Sequence, residues 1–221
     1  MIKGKKALIF DLDGTLTDSI WAIRDAVNDV RAQLGKDGLD YDGVKAGINN
    51  GARQLVVVTV ADEARRDDVE YIDRLTERYL EAYKKSYLHT TEPYDGMREA
   101  IEELKARGYR LAVLSNKPDA FVREIVEGMF GEGVFELLMG AHDSLVKPDP
   151  ELTREAVERL GGVKTEDCVF IGDSDVDIMT ARNASMTSIG VAWGYRGREF
   201  LESFGADAVI DHPGELPAVL E

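Results

Sequence analysis

Short apolar runs alternate along this chain with stretches that carry the hydrophobic spacing of helices. The runs are almost continuously apolar, as expected for strands that are buried on both faces of a sheet. They cover residues 7–10, 111–114, 137–139, 168–171, 188–192 and 208–210. Helical spacing is clearest in residues 96–107 and 151–160, and each of these stretches is followed by a glycine that can cap a helix. The alternation predicts an α/β fold in which helices cover a Rossmann-like, doubly wound parallel sheet.

Residues 17–90 break this alternation. Two long helical patterns, 19–34 and 62–88, lie in this segment without a buried strand pattern beside them. The apolar run 55–60 fits a strand or a helix by periodicity, and its position between helical segments favours a helix. We therefore predict a helical cap domain at 17–90, inserted into a sheet domain that is formed by residues 1–16 and 91–221.

The composition is that of a globular protein and restricts the classes of partner. Of 221 residues, 44% are hydrophobic and 31% are charged, which excludes a disordered or fibrous chain. The 42 acidic and 27 basic side chains give a formal net charge of −15. This charge argues against nucleic acid or an anionic membrane as a partner, and no run approaches the roughly 18 apolar residues of a membrane span.

The number of cysteines and the N-terminal residues indicate the cellular compartment of the protein. The single cysteine, Cys168, lies in an apolar stretch and cannot form a disulfide within the chain. The apolar run after the first lysines is too short for the core of a signal peptide. We therefore expect a cytoplasmic protein.

Polar side chains directly follow several of the predicted strands. Ligands of parallel sheets bind just beyond the carboxyl ends of the strands, so these positions are the candidates for a functional site. The residues placed there are Asp11, Asp13, Ser115, Asn116, Lys117, Lys147, Asp173 and Asp177. The predicted topology gathers them at one edge of the sheet.

A cluster of carboxylates at one point favours a bound divalent cation. Two like charges about 4 Å apart repel by roughly 4 kcal/mol at an effective dielectric near 20. Oxygen ligands without histidine or cysteine favour Mg²⁺ over zinc, and such Mg²⁺ sites usually complete their ligand shell with water and a phosphate group. The expected partner is therefore a small-molecule phosphate ester.

The two aspartates after the first strand can carry out phosphoryl transfer. Asp11 can attack phosphorus in line and become an aspartyl-phosphate, which divides hydrolysis into two easier displacements. Asp13, two residues later, can protonate the leaving alkoxide and later accept a proton from water. Ser115 and the N–H groups after it can hold phosphate oxygens. Lys147 is a compact charge suited to the phosphoryl group and the nucleophile together.

At these residues the chain resembles the haloacid dehalogenase superfamily, in its Mg²⁺-dependent phosphatase branch. The four matching motifs, in chain order, are residues 11–16 (DLDGTL), 115–117 (SNK), 147–150 (KPDP) and 172–177 (GDSDVD). Each lies near a predicted strand end, and the helical insertion follows the first motif as the cap of this family does.

The resemblance implies roles for these residues. It makes Asp11 the nucleophile, Asp13 the acid and base, and Lys147 the charge stabiliser. It makes Asp173 a metal ligand beside Asp11 and the backbone carbonyl of Asp13, with Asp177 in a supporting or water-mediated position around the same Mg²⁺.

A narrower likeness is to the phosphoglycolate phosphatases. It rests on the helical insertion, on residues 193–196 (WGYR) and on residues 205–210 (GADAVI). Arg53 in the insertion could hold a substrate carboxylate with two hydrogen bonds, although an exposed helix arginine is as good an interpretation. Thr15 and Asn116, together with Ser115, are further candidates for substrate binding.

Other functions fit the same motifs. β-Phosphoglucomutases and pyrophosphatases of the same branch share all four, and a phospho-accepting signalling module also combines aspartates, a lysine and a doubly wound sheet. A dehalogenase is disfavoured because it needs neither a metal nor the second carboxylate of Asp13. The sequence determines neither the physiological substrate nor the oligomeric state.

Overall fold

The computed structural model describes residues 1–142 and 145–220 of the chain. The chain divides into two compact units, one formed by Met1–Thr17 with Pro93–Glu221 and the other by Asp18–Glu92. We call the first the sheet unit and the second the inserted unit.

The two units together contain the strands and helices whose bounds follow. In chain order the strands are β1 (Ala7–Phe10), β2 (Thr17–Asp18), β3 (Glu92–Pro93), β4 (Arg110–Pro118), β5 (Leu137–Ala141), β6 (Cys168–Gly172), β7 (Thr187–Val191) and β8 (Ala208–Ile210). The helices are α1 (Ile20–Gln33), α2 (Tyr41–Lys45), α3 (Gly51–Thr59), α4 (Val69–Thr90), α5 (Met97–Ala106), α6 (Asp119–Phe130), α7 (Pro150–Leu160), α8 (Asp175–Asn183), α9 (Arg198–Phe204) and α10 (Leu216–Val219). Short 3₁₀ turns lie at Glu63–Arg65, Thr165–Asp167 and Pro213–Glu215.

Six of the strands form one parallel sheet in the order β5-β4-β1-β6-β7-β8. The chain builds outward from β1 in one direction through β4 and β5, and then returns to add β6, β7 and β8 on the other side. With right-handed crossovers, this reversal places helices on both faces of the sheet. The predicted doubly wound α/β fold is confirmed, and β1 lies at the switch point where ligands of such sheets bind.

The strands are continuous apolar runs because both faces of the sheet are covered. All four side chains of β1 are fully buried, and those of β6 are buried throughout. Part of the core is one cluster that joins residues of several strands to α7, including Ile9, Leu114, Phe170 and Leu152. The six predicted strands are all present; β1 and β8 have the predicted bounds, and the bounds of the other four differ by at most four residues.

The largest difference is in β4, which was predicted to end at residue 114 and extends to Pro118. Between the pairs Leu114–Met139 and Pro118–Ala141 the register of β4 against β5 shifts, so the three residues 115–117 of β4 lie opposite the single residue Gly140 of β5. Such an irregularity redirects side chains next to active sites. The segment 115–117 therefore lies within the strand and not after it.

The inserted unit is helical, and it consists of α1 to α4. The ambiguous apolar run 55–60 lies largely in α3, as a helix. The helix predicted from residue 62 begins only at Val69, because a 3₁₀ turn precedes it and the Asp68 side chain accepts a hydrogen bond from the Tyr71 N–H, 3.0 Å away. The strands β2 and β3, where the chain enters and leaves this unit, pair as a small two-stranded sheet. Among the described residues, no helix has the length and apolar character needed to cross a membrane.

Candidate active site

Three adjacent strands bring the predicted site residues to one edge of the sheet. β1 lies between β4 and β6, and all three run in the same direction. Asp11 directly follows β1, Lys117 lies near the end of β4, and Asp173 directly follows β6. Lys147 reaches the same place from the segment between β5 and α7.

Lys147 links two of the predicted carboxylates. Its Nζ lies 2.8 Å from Asp11 Oδ1 and 2.7 Å from Asp177 Oδ1. The exposed fraction of the Lys147 side chain is 2%, so its charge depends on these partners. Burial alone would lower the pKa of Lys147, but the charges of Asp11 and Asp177 raise it above its usual range. The ammonium group is thus fixed between the two carboxylates.

The carboxyls of the cluster are hard to ionise together. Burial raises the pKa of Asp11 to about 7, even though the Lys147 charge acts in the opposite direction. Burial also raises the pKa of Asp173 well above its usual range, and the charges of Asp177 and Asp11 add to this effect. A further positive charge at this place, such as a metal ion, would favour the ionised form of both carboxyls.

Asp173 presents a carboxylate oxygen that has no hydrogen-bond partner among the described residues. The side chain is fully buried, and its Oδ1 is the unpartnered atom. Its Oδ2 accepts a hydrogen bond of 2.7 Å from the backbone N–H of Tyr195. A buried carboxylate oxygen without a donor is costly in a folded protein unless a ligand satisfies it. This oxygen is therefore a candidate metal ligand.

Two glycines make room for Asp173. A Cβ at Gly14 would lie 2.5 Å from Asp173 Oδ2, and a Cβ at Gly194 would collide with Asp173 Cβ and with the Gly14 carbonyl oxygen. Gly14 also has a φ of +84°, which favours glycine over residues with a side chain. The backbone thus approaches the carboxylate closely on two sides.

Asp177 is held by the first turn of α8. The side chain of Ser174 caps this helix, and the Ser174 N–H and Oγ donate to Asp177 Oδ2 at 3.0 and 2.6 Å. Its other oxygen, Oδ1, contacts Lys147. Both oxygens therefore have partners on this chain, which fits the supporting position that the resemblance implies.

The donor set fits a hard divalent cation. Carboxylate oxygens of Asp11, Asp173 and Asp177 lie within 4.8 Å of one another, and all three residues are buried. Four carboxylates (the fourth is Asp13) against two ammonium groups leave a formal charge of −2 at the site. One divalent cation would balance this charge, and oxygen ligands are the type that Mg²⁺ prefers.

Of the residues predicted to bind substrate, Thr15, Ser115 and Asn116 lie in the sheet unit around the same centre, although Asn116 is engaged elsewhere. Asn116 Nδ2 donates to the Lys147 carbonyl at 3.0 Å, and the Lys147 N–H donates to Asn116 Oδ1 at 2.6 Å. Asn116 therefore holds the backbone that carries the lysine. Thr15 Oγ1 is buried without a hydrogen-bond partner among the described residues, and buried Ser115 Oγ accepts from the Lys117 N–H at 3.3 Å.

Lys117 is a site residue for which the sequence pattern indicates no role. Its Nζ lies 3.0 Å from Asp13 Oδ2, and the exposed fractions of the two side chains are 6% and 15%. Its position in the sequence does predict a contact with an anionic group, because a lysine that is buried at the end of a strand is stabilised only if its charge is paired. The sequence alone did not reveal that Lys117 contacts Asp13 and not another carboxylate. Nor did it reveal that the Tyr195 N–H donates a hydrogen bond to Asp173.

Arg53 is located in the inserted unit, near the start of α3. Its Nε lies 3.1 Å from Asp73 Oδ1, and the exposed fractions of the two side chains are 52% and 55%. An exposed ion pair of this kind contributes little to stability. The contact with a substrate carboxylate therefore stays a prediction.

The family model described as haloacid dehalogenase-like hydrolase matches residues 8–191. The chain belongs to this family. This haloacid dehalogenase-like hydrolase is 35% identical, over 221 residues, to the phosphoglycolate phosphatase of Colwellia psychrerythraea strain 34H. The match covers 97% of this chain and 96% of that protein.

Solved structures of the family have the same fold. A predicted phosphoglycolate phosphatase from Haemophilus somnus 129PT is 25% identical, with a TM-score of 0.87 and 98% of both chains covered. A Thermotoga maritima protein described as a candidate β-phosphoglucomutase is also 25% identical, with a TM-score of 0.71 and 97% of both chains covered. This hydrolase is thus more similar in backbone to the phosphatase.

Proposed function

We propose that this hydrolase is a Mg²⁺-dependent phosphatase that acts on a small phosphate ester, with 2-phosphoglycolate as the preferred substrate. The observation that carries the proposal is the buried arrangement of Asp11, Lys147, Asp173 and Asp177 at the switch point of the sheet. The names of the relatives from Colwellia psychrerythraea and Haemophilus somnus support the choice of substrate.

The Mg²⁺ ion would be held by Asp11, Asp173 and the backbone carbonyl of Asp13. The unpartnered Asp173 Oδ1 and the formal charge of −2 support this assignment. When bound, the ion offsets the negative charge of the phosphoryl group and of the carboxylate that attacks it. Asp177 would keep its place between Lys147 and Ser174 and act on the ion through water.

Asp11 performs the first displacement. One of its carboxylate oxygens attacks phosphorus in line and forms the aspartyl-phosphate, while the bond from phosphorus to the ester oxygen breaks. Lys147 Nζ, already 2.8 Å from Asp11 Oδ1, favours the ionised nucleophile and stabilises charge on the phosphoryl oxygens. Ser115 and Thr15 would supply hydrogen bonds to the phosphoryl group.

Asp13 transfers the protons of both steps. In the first step its carboxyl group gives a proton to the leaving alkoxide and becomes a carboxylate. In the second step it accepts a proton from the water that attacks phosphorus, while the bond between Asp11 and phosphorus breaks. Alcohol, inorganic phosphate and the original protonation state of Asp13 result.

Phosphate release from a substrate panel tests the proposal. The panel contains 2-phosphoglycolate, β-glucose 1-phosphate, pyrophosphate and a nucleoside monophosphate, each with Mg²⁺ or EDTA. We expect the highest kcat/KM with 2-phosphoglycolate and no release in EDTA.

We expect Asp11→Asn to lose about 10⁴-fold or more in rate, because it removes the nucleophile, while the exposed control Asp67→Asn keeps its activity.

The panel also distinguishes the alternatives. Conversion of β-glucose 1-phosphate to glucose 6-phosphate would indicate a mutase, and preferred cleavage of pyrophosphate would indicate a pyrophosphatase. Stable phosphorylation of the protein without turnover would indicate the signalling class.

If 2-phosphoglycolate is preferred, Arg53→Ala should remove that preference, whereas Asp73→Ala, which breaks the same ion pair, should not.

We also place this enzyme in the cytoplasm. Its one cysteine, Cys168, is buried and free, and burial raises the pKa of the thiol to about 11. A thiol in this state suits a reducing compartment. The negative net charge continues to argue against nucleic acid as a partner.

A further inference from the structure

Each of the two aspartates that follow β1 has its own lysine. Lys147 contacts Asp11 and Asp177, whereas Lys117 contacts Asp13. The two lysines come from different places in the fold, since Lys117 is on β4 and Lys147 lies after β5. The proposed mechanism uses Lys147 on the nucleophile and leaves Lys117 without a role.

The backbone fixes Lys117 in place. It lies in the part of β4 where the register against β5 shifts. A Cβ at Gly140 on β5 would collide with the Lys117 carbonyl oxygen, so the two strands are in close contact there. The Lys117 N–H also donates to Ser115 Oγ at 3.3 Å. The base of this side chain therefore has little freedom to move.

Asp13 is the less confined partner. Its side chain is 15% exposed, compared with 6% for Asp11, and it precedes Gly14 in the turn after β1. A general acid must lie within hydrogen-bond reach of the oxygen that it protonates, and a misplacement of about 1 Å can cost about 10²-fold in rate. The Lys117 ammonium gives Asp13 a contact of this kind at Oδ2.

We propose that Lys117 is a positioning residue that holds the carboxyl group of Asp13 for proton transfer to the leaving alkoxide. This inference rests on the proposed phosphatase function. The proton moves from Asp13 to the ester oxygen as the bond from phosphorus to that oxygen breaks, and Lys117 keeps its own protons throughout. Its charge also stabilises the carboxylate that the transfer leaves on Asp13.

The leaving group separates this role from a general structural one. An alkoxide leaving from 2-phosphoglycolate needs a proton, whereas 4-nitrophenolate leaves without one. Because kcat/KM includes only the steps up to release of the alcohol or phenol, it reports on that departure for both substrates. Loss of a proton donor should therefore lower kcat/KM selectively for 2-phosphoglycolate.

We would measure kcat/KM of the wild type and of Lys117→Met with both substrates in Mg²⁺. We expect a loss of about 10²-fold with 2-phosphoglycolate, within the usual range of general acid catalysis, and a value close to that of the wild type with 4-nitrophenyl phosphate. The inhibition constant of inorganic phosphate should not change. Lys105→Met, at an exposed lysine of α5, is the matched control and should behave as the wild type.

A double-mutant cycle tests whether Lys117 acts through Asp13. Asp13→Asn alone should show the same selectivity for the leaving group, and Asp13→Asn with Lys117→Met should lose no more than Asp13→Asn. If Lys117→Met does not fold, Lys117→Gln, which keeps a donor toward Asp13, should show the same selectivity with a smaller loss.

Three results would overturn the inference. An equal loss with both substrates would assign Lys117 to the phosphoryl group or to the fold. A rise in KM for 2-phosphoglycolate alone, with kcat unchanged, would assign it to the substrate carboxylate. Losses that multiply in the double mutant would show independent action. A wild type that cleaves neither substrate would instead contradict the proposed phosphatase function itself.

Discussion

At the scale of single residues, Asp173 depends on its neighbours having no side chain. Gly14 and Gly194 lie against its carboxylate on two sides, and any Cβ at Gly194 would meet the root of the Asp173 side chain and a backbone oxygen. Neither of these atoms can rotate away. The position of Asp173, the candidate metal ligand, therefore depends on two features. One is the lack of a Cβ atom at Gly14 and Gly194, and the other is the hydrogen bond from the Tyr195 N–H.

Gly194→Ala should displace Asp173. We expect a loss of about 1–3 kcal/mol in the free energy of unfolding, as for other overpacked sites, together with weaker Mg²⁺ binding. Chemical denaturation and a calorimetric Mg²⁺ titration would measure the two effects. An alanine at this position that binds Mg²⁺ as tightly as the wild type would contradict the close contact.

Gly128→Ala is the matched control for this substitution. Gly128 is exposed in α6, and a Cβ there would have no atom within 4 Å. Alanine favours a helix over glycine by about 0.5–1 kcal/mol, so this variant should be slightly more stable than the wild type.

At the scale of elements, α4 begins where a cap forms and not where apolar periodicity begins. Its periodic pattern is compatible with a start at residue 62, but the chain turns at Glu63–Arg65 and the helix begins at Val69. Asp68 accepts hydrogen bonds from the Tyr71 N–H at 3.0 Å and from Arg65 at 2.6 Å. An aspartate at this position satisfies an N–H group that the first turn of a helix leaves free.

Asp68→Ala should therefore weaken the start of α4. We expect a loss of about 1 kcal/mol in the free energy of unfolding, the usual cost of removing such a cap. Chemical denaturation would measure this loss, while Asp68→Asn, which keeps an acceptor for the Tyr71 N–H, should retain most of the stability. Equal losses in the two variants would show that charge, and not capping, is what Asp68 contributes.

At the scale of the whole molecule, the ionisation of the buried cluster couples stability to pH and to the metal. The pKa of Asp11 in the folded, metal-free protein is raised from 3.8 to about 7. The folded state therefore holds this proton more tightly than the unfolded chain does. The stabilisation of the folded state by this proton is complete at pH values below 3.8, the ordinary pKa of the carboxyl group. It is lost as the pH rises through about 7, the pKa of Asp11 in the folded state.

Mg²⁺ should stabilise the protein more as the pH rises over the same range. The cation needs ionised carboxylates and competes with the proton, and at 100 times its dissociation constant it adds about 2.7 kcal/mol. Thermal unfolding in Mg²⁺ and in EDTA, between about pH 5 and pH 8, would measure the difference. In Asp11→Asn the effect of Mg²⁺ should be smaller and depend less on pH, and a pH-independent effect in the wild type would contradict the coupling.

The local pattern of the sequence was sufficient for the six strands of the central sheet, for the residues at the strand ends, and for the helices α1, α3, α4, α5 and α7. A strand that is buried on both faces must be apolar along its length, as β1 and β6 are, and a polar residue that follows it is conspicuous. The carboxylates at positions 11, 13 and 173 could be found in this way, because parallel topology places all strand ends at one edge.

Only the tertiary structure decided which charged groups meet. Three features of the site depend on residues that are far apart in the chain. They are the contact of Lys117 with Asp13, the hydrogen bond of Asn116 to the Lys147 backbone, and the close approach of Gly14 and Gly194 to Asp173. Their distances depend on the register between β4 and β5 and on close backbone contacts at glycines, which no local pattern encodes. The sequence by itself determined the fold and the residue types of the site, whereas packing determined the pairing of charges, because electrostatic energy depends on distances of a few ångströms.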